Sequence, residues 1–157
     1  MIEYCDTPIF QAHYFYRQNI NPHSAFDTND LEAIFETARS KSKKVYALIS
    51  LLHTCALRIQ DAVGLTFGSI TQLKPNKEGY YSLNIVGKKS SARNVMIDET
   101  TIAAIKAYQD EIRANNDDIM FPPGYGRNPA NKWTLMISRF FKAHGHPTVK
   151  SHDFRVT

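Results

Sequence analysis

The chain has 157 residues, 43% of them hydrophobic and 22% charged, with a formal net charge of +4 at pH 7. That balance allows one domain with a real core, excludes wholesale disorder, and permits a nucleic-acid partner without requiring one. Cys5 and Cys55 do not make a disulfide framework, the start Met1-Ile2-Glu3-Tyr4-Cys5-Asp6 lacks the basic start and apolar run of a signal peptide, and no apolar stretch is long enough to span a bilayer. The expectation is an intracellular protein with no membrane partner, cytoplasmic or nucleoid-associated if the source is prokaryotic or viral.

Residues 1–25 carry Pro8 and Pro22 and no periodic apolar stripe, so they read as a linker or the remnant of a preceding domain. The first helix opens at Asp27 or Thr28 and runs to about Arg39, with Phe26 and Leu31 spaced for a hydrophobic staple. Val45, Leu48, Ile49, Leu52, Ala56 and Ile59 recur at three- and four-residue intervals, which predicts a second helix over about 43–59. Cys55 falls on its apolar side as a buried free thiol. Arg58 stands at its C-terminal end, and Asp61 at i+3 would brace the guanidinium if the helix continues.

The period then changes to two. A short strand is expected over 70–73, a turn over 75–79, and a second strand in which Tyr81, Leu83 and Ile85 alternate with Ser82, Asn84 and Val86. A polar turn over 87–92 puts Lys88 at a hairpin tip, and Arg93 to Ile97 alternates again. A helix capped by Asp98 turns Ile102, Ile105, Tyr108 and Ile112 inward and ends near Asn115. After a Pro-Gly loop over 121–126, the next helix buries Trp133, Met136, Ile137, Phe140 and Phe141 and stops at Gly145. Ser151 is placed to cap one more turn. The predicted class is α+β and mainly helical, with helices packed around a small three-stranded antiparallel sheet.

Three segments carry the chemistry: Ala56-Leu57-Arg58-Ile59-Gln60-Asp61, Gly87-Lys88 ahead of Arg93, and His152-Asp153-Phe154-Arg155. A phosphodiester under in-line attack gathers charge on its non-bridging oxygens, and arginine meets it with two parallel charge-assisted hydrogen bonds and a permanent charge. Arg58 and Arg155 are the candidates for that grip. His152, one helical turn before Arg155, could donate a third hydrogen bond or shuttle a proton. The leaving alkoxide needs a proton, which Lys88 could deliver, with Lys89 as the alternative after a one-residue register slip. Each match alone is usually a solvated surface residue; the order and the element under each give them joint weight.

These segments resemble the tyrosine recombinase (phage integrase) family. The stretch from Leu51 to Ile70 is similar to its first motif, with Arg58 and Asp61 on the arginine and acid of Arg-x-x-Glu/Asp and Ala56 where glycine is usual. Gly87 to Arg93 resembles its hairpin, with Lys88 on the catalytic lysine. Ser151 to Arg155 resembles its His-x-x-Arg box, with phenylalanine for the usual leucine.

The resemblance implies a recombinase catalytic domain over 26–157, strand cleavage and rejoining on double-stranded DNA, no cofactor and no metal. Catalytic roles fall to Arg58, Lys88, His152 and Arg155, support to Asp61, and DNA contacts to Lys89 and Arg93.

The family's nucleophilic tyrosine lies beyond the box, whereas all eight tyrosines here precede it. A chain truncated in this way is expected to be an inactive relic, a fragment that borrows the tyrosine of a full-length recombinase, or an interfering DNA-binding form. Loss of the final helices would leave Trp133 and Phe140 uncovered and favour self-association.

Two other readings stand beside it. His144, His146 and His152 are close enough in sequence for a metal hydrolase. Lys41, Lys43, Lys44, Lys74, Lys77, Lys88, Lys89 and Arg93 would serve a non-catalytic DNA- or RNA-binding module.

Overall fold

The structure, a computed structural model, describes residues 26–87 and 91–156. Lys88 and Lys89 lie outside the described residues, as does the whole of 1–25. Helices α1 (Thr28–Lys41) and α2 (Lys43–Thr54) are separated by Ser42 alone. Its extended backbone breaks the helix, and its hydroxyl accepts the Val45 N–H at 3.3 Å to start the next one. Helix α2 is the centre of the molecule: Ala47 through Leu52 are all buried, packed among α1, α5 (Glu99–Ile112) and α7 (Asp153–Val156).

Short helices α3 (Ile59–Ala62) and α4 (Gly68–Thr71) follow, then strands β1 (Tyr81–Val86) and β2 (Ala92–Ile97). The strands pair antiparallel in the register Tyr81↔Ile97, Leu83↔Val95 and Ile85↔Arg93. Leu83, Ile85 and Ile97 are buried, so these pairs form the inner face of the hairpin.

Among the described residues the sheet has two strands rather than three. The segment expected as a strand at 70–73 begins instead as the end of α4. Local side-chain bonds decide this: Ser69 N–H donates to Thr66 Oγ1 at 3.3 Å, and Thr71 Oγ1 donates to the Phe67 carbonyl at 3.0 Å. They satisfy a tight helical turn that lets Ile70 reach the core.

Asp98 caps α5 as expected, accepting the Thr101 N–H at 2.7 Å. Ile102, Ile105 and Tyr108 are buried, but Ile112 is half exposed, because it is the last helical residue before Arg113 turns the chain at φ +54°. Helix α6 (Asn131–Ala143) buries Trp133, Ile137 and Phe141 at four-residue spacing, with Met136 and Phe140 half-buried.

The expectation of an uncovered Trp133 fails. The indole is 4% exposed, donates Nε1–H to the Pro122 carbonyl at 2.7 Å, and meets Phe121 edge-on at 5.3 Å. The Phe140 ring lies against His144 at 4.4 Å.

The chain reaches α7 through a turn in which the Asp153 carboxylate accepts the Lys150 N–H at 2.8 Å. Phe154 is fully buried, with the rings of Phe26, Phe35 and Phe141 within about 6 Å. No helix among the described residues is long and apolar enough to cross a membrane.

Candidate functional site

The site is built on the turn after α2. That helix stops at Thr54, not near residue 59, because Ala56 adopts φ +49°, where an L-residue cannot continue a right-handed helix. Arg58 is therefore not at the end of α2. It is the extended N-cap residue of α3, and it is exposed.

Asp61 acts on this turn in a different way from that expected. Its carboxylate accepts the backbone N–H of Arg58 at 3.3 Å, the reciprocal half of a capping box. Its ion pair is with Arg93, whose Nη2 lies 2.9 Å from Asp61 Oδ2. Arg93 continues the inner face of β2 outward past Val95 and Ile97, which carries its guanidinium from the hairpin to α3.

The His-x-x-Arg segment closes on the same turn from the other side. Arg155 Nε donates to the Ala56 carbonyl at 3.1 Å, across 99 residues of sequence. That bond fixes the plane of the guanidinium two residues from Arg58. His53 adds a second tie, its Nδ1 lying 3.3 Å from the Phe154 carbonyl. A carbonyl only accepts, so Nδ1 carries the proton.

His152 is exposed and immediately precedes α7. The structure thus gathers Arg58, Asp61, Arg93 and Arg155 around one turn and sets His152 at the start of the helix that delivers Arg155. Lys88 and Lys89 belong to the connection between β1 and β2, outside the described residues.

Cys55, just before Ala56, is buried and donates Sγ–H to the Met96 carbonyl at 3.3 Å. Burial, reinforced by Asp98, pushes its thiol up to about 12, so it offers no nucleophile to the neighbouring site.

A shallow cleft of about 600 Å³ flanks α3, lined by Gln60, Val63, Gly64, Pro123, Arg127 and Asn128. Neither Arg58 nor Arg155 lines it. The histidines proposed for a metal have other engagements: His144 Nδ1 lies 2.7 Å from the Phe140 carbonyl, and His146 Nε2 lies 3.3 Å from Thr37 Oγ1. Among the described residues no three His, Cys, Asp or Glu side chains are grouped to hold a metal ion.

One further signal lies outside the three motifs. Residues 119–152 contain five lysines and arginines and no carboxylate, while the rest of the chain carries fourteen basic and fifteen acidic residues. The structure exposes Arg127, Lys132, Arg139, Lys142 and Lys150 of that stretch, three of them on α6. The excess positive charge is therefore local.

No family model matches the sequence, and no curated protein matches it. Solved structures do. The XerA recombinase superposes with a TM-score of 0.63 at 20% identity, covering 94% of this chain and 57% of its own. The XerH site-specific recombinase bound to its difH substrate before cleavage gives 0.59 at 17% identity, covering 92% and 48%. XerH bound to palindromic difH after cleavage gives 0.60 at 20% identity, covering 87% and 40%. The chain spans about half the length of these recombinases, and its fold is tyrosine-recombinase-like.

Proposed function

On the premise of a tyrosine-recombinase-like fold, we propose that the chain acts in site-specific DNA recombination, holding one backbone phosphate of double-stranded DNA while a strand is cut and rejoined. The observation that carries this reading is the Arg155 Nε–Ala56 carbonyl bond, which ties the His-x-x-Arg segment to the turn bearing Arg58. In this reading Arg58 and Arg155 bind the two non-bridging oxygens, and the charge that builds on those oxygens is met by groups already in place. His152 supplies a further donor at the rim, and Lys88 moves the proton of the 5′ oxygen. The carboxylate-free stretch through α6 draws the DNA backbone to the same molecule.

The attacking tyrosine of such a reaction is not assigned to any of residues 1–157. Tyr108 is buried, and Tyr125 is fully exposed on the loop before α6. The grip on the phosphate is separable from that nucleophile.

A nicked duplex whose 3′-phosphate is esterified with p-nitrophenol, facing a 5′-hydroxyl, poses only the rejoining half of the reaction. The 5′ oxygen attacks phosphorus, its proton passes to a base, and p-nitrophenolate leaves as the P–O bond to it breaks. The protein is expected to accelerate joining, and Arg58→Ala to slow it by roughly 100- to 1,000-fold. Equal rates with and without saturating protein would contradict the catalytic reading. Salt-sensitive binding without joining would leave a DNA-binding module.

A further inference from the structure

Asp61 presents a problem for a site that must receive a phosphate. It places a carboxylate one turn from Arg58, and its side chain is only 9% exposed, so water screens it poorly. Left alone, that charge would repel the incoming DNA and attract the Arg58 guanidinium away from it, since residues at i and i+3 on a helical turn are neighbours. The backbone bond from Arg58 N–H to Asp61 fixes the carboxylate in place, so it cannot swing clear.

Arg93 meets this charge from a separate element. Its Nη2 reaches Asp61 Oδ2 at 2.9 Å from the inner face of β2, and its side chain is 41% exposed. We propose that Arg93 is a positioning residue that occupies and neutralises Asp61, leaving the Arg58 guanidinium available to DNA phosphate. Arg93 is thereby reassigned from a DNA contact to a partner of the acid beneath the contact. Because the pair joins β2 to α3, it also ties the end of the hairpin nearest the β1–β2 connection to the turn that carries Arg58.

The inference rests on the reading of Arg58 as a phosphate ligand, and the variants separate the two. Binding of the nicked duplex is measured by fluorescence anisotropy, together with the joining rate, for Arg93→Ala, Asp61→Asn, the double variant and Arg58→Ala. Arg93→Ala is expected to weaken binding about tenfold, because it uncovers the carboxylate. Asp61→Asn keeps an oxygen for the Arg58 N–H but removes the charge, so adding it to Arg93→Ala restores affinity to within about threefold of wild type. Arg93→Lys, which retains a cation beside Asp61, is expected to bind nearly as wild type does.

A direct phosphate contact by Arg93 predicts the opposite: the double variant stays as weak as Arg93→Ala, and the inference is overturned. It is overturned equally if Arg93→Ala binds normally. Should Arg58→Ala bind and join as wild type does, the phosphate-ligand reading fails, whatever the Asp61 variants show. Thermal melts of each variant identify a loss that comes from unfolding, and Arg93→Lys and the double variant then decide the outcome.

Discussion

Ala56 holds a left-handed backbone at φ +49°, and its carbonyl receives the Arg155 guanidinium. An L-residue is strained there by about 1–2 kcal/mol, and a glycine is not. Glycine, usual at this position in the motif the stretch resembles, would relieve that strain. Ala56→Gly is expected to raise stability by about 1 kcal/mol in urea denaturation, with the Arg155 contact retained. A β-branched residue there should destabilise the fold and slow joining. One residue earlier, Cys55 gives a pH signature. Its folded thiol is raised from its ordinary value near 9 to about 12, so the folded state holds the proton that the unfolded state loses. The associated stability is complete below pH 9 and falls as pH rises toward 12, by on the order of 4 kcal/mol. Alkaline denaturation of Cys55→Ala should show a correspondingly shallower loss; identical pH profiles would contradict the burial argument.

At the scale of elements, the decisive event is the docking of α7 on α2. Phe154 is its anchor, buried among Phe26, Phe35 and Phe141, and Arg155 is carried with it. Phe154→Ala is expected to cost about 3–5 kcal/mol and to abolish joining without touching a phosphate ligand, whereas Phe154→Leu should cost under about 1.5 kcal/mol. Thermal and urea melts read the first effect and the joining assay the second. The main helices were legible because their apolar residues recur with helical spacing. The end of α2 was not, since Ala56 and Ile59 continue the stripe in phase and alanine gives no sign of a left-handed turn. The segment over 70–73 is not legible as a helix end because a short apolar run has no period long enough to separate strand from helix. At the site, the gathering of residues 58 and 155 came from resemblance to known motifs, not from any spacing. The Asp61–Arg93 pair spans 32 residues and two elements, and nothing local in the sequence marks it.

For the whole molecule, the distribution of charge matters more than its sum. A net +4 is unremarkable, but the excess lies in residues 119–152 and is exposed along the loop before α6 and on α6 itself. If that face meets the DNA backbone, Arg139→Ala should reduce the slope of log affinity against log salt by about 0.9 for duplex of any sequence. Lys77→Ala, in the turn before β1, should leave the slope unchanged. Within the proposed function, Arg58 and Arg155, 97 positions apart in the chain and joined through the Ala56 turn, would serve one phosphate. A double-mutant cycle in the joining reaction tests it most directly. Two groups acting on one transition state should be strongly non-additive, so Arg58→Ala combined with Arg155→Ala should be within about threefold of the slower single variant. If the two losses multiply in full, the arginines act independently and the reading of one shared phosphate is wrong.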